Sequence, residues 1–185
     1  REAKKICKKL NIDWRFFPVK RSDMKNFFRS KYRIDYWSFS DNLSSLPNFQ
    51  DFIPLWLLNI RNSLDKDIVV VNGQTGDFIS GGHIPQILME HTGPDYKDCL
   101  LNAIIDKHYS LWNSLKTKKN IMMVKELLKS KLNLNRTMKR DEAIACYEKW
   151  EYQERQSKYV VNGQRNYEFL GIDWALPLWD KEFVE

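Results

Sequence analysis

The sequence is poor in several features that would assign it to a class. It has three cysteines, Cys7, Cys99 and Cys146, odd in number and far apart. They fit no disulfide framework and no metal-ligand spacing, which predicts a reducing, cytoplasmic setting. No apolar run reaches the roughly 18 residues of a membrane span, and no signal peptide is read at the N-terminus. Histidine is scarce: His83, His91 and His108 are the whole set. His83 and His91 flank Pro85, with Glu90 the one acid at ligand spacing, so a structural or surface role is expected ahead of a metal site. There is no Walker-type loop and no Gly-x-Gly-x-x-Gly fingerprint. No Ser/His/Asp or Cys/His set, internal repeat, low-complexity tract or linker stands out.

What remains is a chain of 185 residues with 43% hydrophobic and 14% aromatic residues. That is enough for one domain with a real core, or for a large piece of a bigger one. The chain opens on Arg1 and not on Met, which suggests a piece of a longer protein. Net charge is +6, compatible with anionic ligands including nucleotides and nucleic acid. The basic residues are dispersed over expected helices, which favours a solvated surface over a polyanion patch and makes nucleic acid an unexpected partner.

Periodicity organises the chain. Glu2 to Leu10 predicts a helix with Ala3, Ile6, Cys7 and Leu10 on one face, ended by Asn11. Ile12 to Val19 predicts an aromatic strand closed by Pro18. Ser22 is a candidate N-cap for a helix from Asp23 to Ser30. Lys31 to Ser45, with Tyr32, Tyr36, Trp37 and Phe39, predicts either an ordered loop near a site or aromatics closing the edge of the core. Ser44-Ser45-Leu46-Pro47 opens a helix expected to reach Leu64, kinked at Pro54.

Ile68 to Val71 is a short β-branched run that predicts a buried parallel strand. Two helix–strand units in succession predict an α/β fold: a partial doubly wound parallel sheet over residues 1–92, with right-handed crossovers. Residues 93–185 read as a mainly helical half of the same single domain. Its helices are expected at Asp95 to Leu115, Lys119 to Leu132, and Arg140 to Tyr159 or beyond, with either a stop at Asn162-Gly163 or a resumption through Tyr167 to Leu170. The stretch Glu148 to Gln156 is heavily charged and reads for the most part as a solvated face, with Glu151 and Arg155 spaced for an ion pair. The tail turns at Gly171 and extends from Trp174 to Leu178.

The most informative stretch follows Val71. Gly73, Gly76, Gly81 and Gly82 fall within ten residues and are four of the seven glycines in the chain. Asn72, Gln74, Thr75, Asp77 and Ser80 are interleaved with them. Glycine is needed where backbone turns sharply at the carboxyl end of a strand or lies close to a ligand, and that edge of an open α/β sheet is where ligands sit. The alternative is a tight strand-to-helix connection with no ligand.

Asn72-Gly73-Gln74-Thr75-Gly76-Asp77-Phe78, followed by Gly81-Gly82-His83, resembles the second signature of the asparagine synthase-type ATP pyrophosphatases. That signature runs Ser-Gly-Glu-Gly-Ser-Asp-Glu, two residues, then Gly-Gly-Tyr. Ala175-Leu176-Pro177-Leu178-Trp179-Asp180 more weakly resembles the family's C-terminal Arg-x-Pro-Phe-Leu-Asp. The resemblance implies an adenine nucleotide alpha hydrolase-like fold. It implies a protein that adenylates a carboxylate with ATP and Mg²⁺ and passes the acyl group to ammonia or an amine, with a glutaminase domain as a possible upstream partner. Asn72, Gly73, Thr75 and Gly76 would then lie on the nucleotide side. Gln74 and Asp77 would face the acceptor as the catalytic pair, although Asp77 equally suits a capping role. Gly81, Gly82 and Asp180 would serve substrate or structure. The family's Ser-Gly-Gly-x-Asp-Ser phosphate loop is missing: Ser80-Gly81-Gly82 continues as His83-Ile84-Pro85 and sits in the wrong place. It is expected on a strand and loop upstream of Arg1. Gln74 stands where the family has Glu, Phe78 replaces a second acid and Ala175 replaces Arg. These departures point to a different carboxylate or to lost activity, so a fragment inactive alone, or a non-catalytic binding domain with the same fold, is expected.

Overall fold

A computed structural model of the chain describes residues 2–40, 49, 51–61, 64 and 67–184. Most of this is helix. The first part comprises α1 (Glu2–Lys9), α2 (Arg21–Arg29), α3 (Lys31–Phe39), α4 (Phe52–Ile60) and β1 (Val69–Val71). Then come α5 (Gly76–Ile79), α6 (Gln86–Glu90), α7 (Lys97–His108), α8 (Lys118–Lys131) and α9 (Arg140–Glu151). A π-helical segment (Tyr152–Val160) leads to α10 (Arg165–Phe169), β2 (Asp173–Ala175), a 3₁₀ turn (Pro177–Trp179) and α11 (Lys181–Val184). The chain divides into two units. One holds residues 1–71 and 161–175, the other 72–160 and 176–185.

The doubly wound sheet is not formed. Among the described residues the sheet has two strands of three residues each, paired in parallel with Val69, Val70 and Val71 opposite Asp173, Trp174 and Ala175. Parallel pairing is as expected for the valine run, but its burial is not: Val69 is 53% and Val71 67% exposed. Two strands cannot enclose a β-branched run on both faces. Ile12 to Val19 forms no strand: among the described residues none pairs with it in a ladder.

The first unit instead has a core of packed aromatics. Phe27 (α2), Tyr36 (α3), Phe52 and Trp56 (α4) are buried together. The Tyr36 and Phe52 rings stack at 4.2 Å, and burial raises the Tyr36 phenol to about 12. Lys31 to Phe39 is therefore helix, not loop, and Tyr36 fills the core. Pro54 lies in the first turn of α4, where a missing N–H costs nothing, so no kink is required. The Ser44 to Pro47 helix start lies outside the described residues. Lys20 precedes α2, and the Asp23 carboxylate, not Ser22, accepts its N–H at 2.9 Å.

The second unit packs α6, α7, α8 and α9 around Leu88, Leu100, Leu101, Ile104, Leu128 and Tyr147. α7, α8 and α9 fall on three of the expected helices, α7 ending at His108 and not Leu115, with Thr117 capping α8. Among the described residues four helices end in a left-handed residue, Asn11, Gly81, Asn133 or Gly171. In each the next N–H reaches back five residues, Ile12 to Cys7, Gly82 to Asp77, Leu134 to Lys129 and Ile172 to Tyr167. This is the Schellman closure, open to Asn and Gly because they tolerate positive φ. No helix among the described residues is long and apolar enough to cross a membrane, and the three cysteines are free.

Candidate functional site

The glycine-rich segment lies in the second unit and folds on itself. Asn72 Oδ1 accepts the Gln74 N–H at 3.1 Å, an Asx turn. A cis Gln74–Thr75 peptide leads into α5. The turn after α5 needs Gly82: a Cβ there would stand 2.8 Å from the Asp77 carbonyl oxygen. Gly73 has no such need, since nothing lies within 4 Å of a Cβ built on it. Gly76 abuts the Leu178 side chain, 3.1 Å from its ideal Cβ. The two segments that carry the resemblance thus meet.

Asp77 Oδ1 accepts the Phe78 N–H at 3.0 Å, and Asp77 Oδ2 lies 2.8 Å from His83 Nε2. The His83 contact, first among its causes, holds the Asp77 carboxyl below the usual range. On the other side of the ring, His83 Nδ1 lies 3.0 Å from Glu151 Oε1. An ionised carboxylate only accepts, so whichever ring nitrogen carries the proton donates to the carboxylate beside it. Phe78 covers this ring edge-on at 5.9 Å and stacks on Tyr152.

Glu151 is the centre of charge. It is 0% exposed. Around it stand His108 Nε2 at 3.2 Å, Arg155 Nη1 at 3.3 Å and Lys107 Nζ at 3.9 Å. Burial alone would raise its pKa; His108, Lys107 and Arg155 outweigh burial and bring it to about 2. Burial, reinforced by the Glu151 charge, pushes the Tyr147 phenol up. Gln156, fully buried, links the loop to this centre: Thr75 Oγ1 donates to Gln156 Oε1 at 2.7 Å, and Gln156 Nε2 lies 3.1 Å from His83 Nδ1.

The charged stretch Glu148 to Gln156 is therefore not a purely solvated face. Its π turn explains why. Five residues are about 1.4 turns of an α-helix, which would point Glu151 and Gln156 apart. A π turn closes i to i+5 and brings both to one side.

Of the expected site residues, Asp77 joins this network directly and Thr75 joins it through Gln156. The Thr75 side chain is turned inward and buried. Gln74 lies beside them in the Asx turn. Asp180 is elsewhere: its Oδ1 accepts the N–H groups of Glu182 and Phe183, capping α11. His83, Glu151, His108 and Gln156 were not in the expected site. Among the described residues no group of three or more His, Cys, Asp or Glu side chains could hold a metal ion. Compared with family models, curated proteins and solved structures, the chain finds no match.

Proposed function

We propose that this chain is the acceptor-side part of an asparagine synthase-like amide ligase or amidotransferase. The parent would adenylate a carboxylate and pass the acyl group to ammonia or an amine. One observation carries the reading: residues 72–83 and 175–180, which hold the two family-like segments, converge at the Gly76–Leu178 contact.

In this reading Asp77 is an anchor and not a base. Its lowered pKa makes it a weak proton acceptor, and His83 and the Phe78 N–H fix both of its oxygens. A fixed, ionised carboxylate facing solvent suits the ammonium group of an amino-acid-like ligand. Gln74 cannot accept a proton, so it orients by hydrogen bonds alone. The residues present do not fit ATP phosphates or Mg²⁺: the sequence has no phosphate loop, and among the described residues no group of three or more His, Cys, Asp or Glu could hold a metal ion. Adenylation would fall to other parts of a longer protein.

Calorimetry with ATP·Mg²⁺ and AMP tests this on the chain extended upstream by about one βα unit, roughly 30 residues. Nucleotide binding is expected, lost in Gly73→Val, with AMP release lost in Asp77→Ala. An extended protein that ignores nucleotides overturns the reading. ATP-to-AMP turnover by these 185 residues alone overturns the claim that they are an inactive fragment.

A second reading, a non-catalytic binding domain, draws on α3, whose Tyr32, Trp37 and Phe39 are exposed around the buried Tyr36. Nucleic-acid binding by the basic surface is the weakest alternative, and a binding constant insensitive to salt would exclude it.

A further inference from the structure

A hollow of about 470 Å³ opens between the C-terminal end of α7 and the start of α8, within the second unit. Its walls are Ile105, Trp112, Leu115, Ile121, Met123 and Val124. Trp112 is 57% and Met123 56% exposed. Large apolar groups left open around a concavity mark a binding site more often than a finished surface. The volume lies within the roughly 300–1,000 Å³ of small-molecule pockets.

The polar groups of the lining decide the kind of ligand. They are His108, Tyr109, Lys116 and Asn120, with no carboxylate among them. The nearest acids lie outside the lining. Exposed Asp106 forms a surface ion pair with Lys116 Nζ at 3.7 Å, weak enough for a bound carboxylate to compete with. Glu151 lies behind His108, completely buried. The Asn120 amide donates to the Leu115 carbonyl at 2.8 Å, which fixes the wall. An apolar floor with Lys116 and His108 at its edge complements a molecule with an apolar body and one negative charge.

We propose that this hollow binds a small aryl or medium-chain acyl carboxylate, its body on Trp112, Met123 and Val124 and its carboxylate toward Lys116. The site is separate from the Asp77 loop and does not depend on the ligase reading. His108 alone joins the two, with one face on the hollow and Nε2 on Glu151.

The test is calorimetry on the full chain with octanoate, with octanol as the neutral control. Saturable one-to-one octanoate binding is expected. Octanol should bind about tenfold more weakly, and Lys116→Gln should weaken octanoate by a similar factor. Val124→Trp, which fills the hollow, should abolish it. Lys116 is partly buried but outside the core, with exposed Asp106 as its ion-pair partner, so its variant keeps the fold even where Val124→Trp does not. Equal affinity for octanol and octanoate, an unchanged affinity in Lys116→Gln, or no saturable binding overturns the proposal. So does concentration-dependent dimerisation that Val124→Trp abolishes, which would make this face the seat of a second copy.

Discussion

Asp77 and Glu151 hold opposite nitrogens of one imidazole, His83, at 2.8 and 3.0 Å. One carboxylate faces solvent and the other is sealed from it. An exposed loop is thereby tied to the most buried charge of its unit, and the consequences can be measured.

Glu151→Gln keeps the shape and removes the charge. His108, Lys107 and Arg155 then lose their common partner. Breaking a buried pair costs about 3–5 kcal/mol; the half-exposed Lys107 and Arg155 retain water, so about 3 kcal/mol is expected from urea unfolding.

Acid should act through the same residue. The folded pKa of Glu151, about 2, lies below its ordinary 4.5. A depressed carboxylate gives stability that is complete above pH 4.5 and drains as pH falls toward 2. Wild-type stability should therefore decline across that window, and Glu151→Gln should decline less steeply. Parallel curves for the two proteins would show that Glu151 is not held down.

The glycines separate structure from function. Gly82→Ala places a Cβ against a backbone carbonyl that cannot swing away and should cost roughly 1–3 kcal/mol. Gly73→Ala meets nothing and should change stability by less than about 1 kcal/mol. A Gly73 substitution that spares the melting temperature yet removes ligand binding would mean that a ligand approaches the backbone there.

The aromatic core of the first unit should behave as a jigsaw. Phe52→Ala removes the ring stacked on Tyr36 and should cost about 3–5 kcal/mol. A cost under about 1 kcal/mol would mean that this cluster is loosely packed.

Much of the second unit was legible in the sequence. The apolar periods of α7, α8 and α9 need only one face against neighbours, so local pattern and packing agree. Asn11 and Gly171 announce helix ends for reasons contained within a few residues. Strands were less legible, because a strand depends on its partner. Among the described residues Ile12 to Val19 has suitable side chains but no ladder, and Val69 to Val71 has one neighbouring strand where burial needs more. The site was half legible. The glycine segment and Asp77 stand out by composition, but His83 meets Glu151 across 68 positions. The π turn that sets Glu151 and Gln156 side by side leaves no trace in a 3.6-residue period. The one available signal was a histidine directly after Gly81-Gly82, where the resembled family has Tyr.

The most direct test is a double-mutant cycle between Asp77→Asn and Glu151→Gln, read by urea unfolding at neutral pH. If His83 couples the loop to the buried charge, the two effects fail to add, by about 0.5–1 kcal/mol given the exposure of Asp77. Additivity within about 0.3 kcal/mol would mean that the loop and the buried centre are independent, and that Asp77 is only a turn residue.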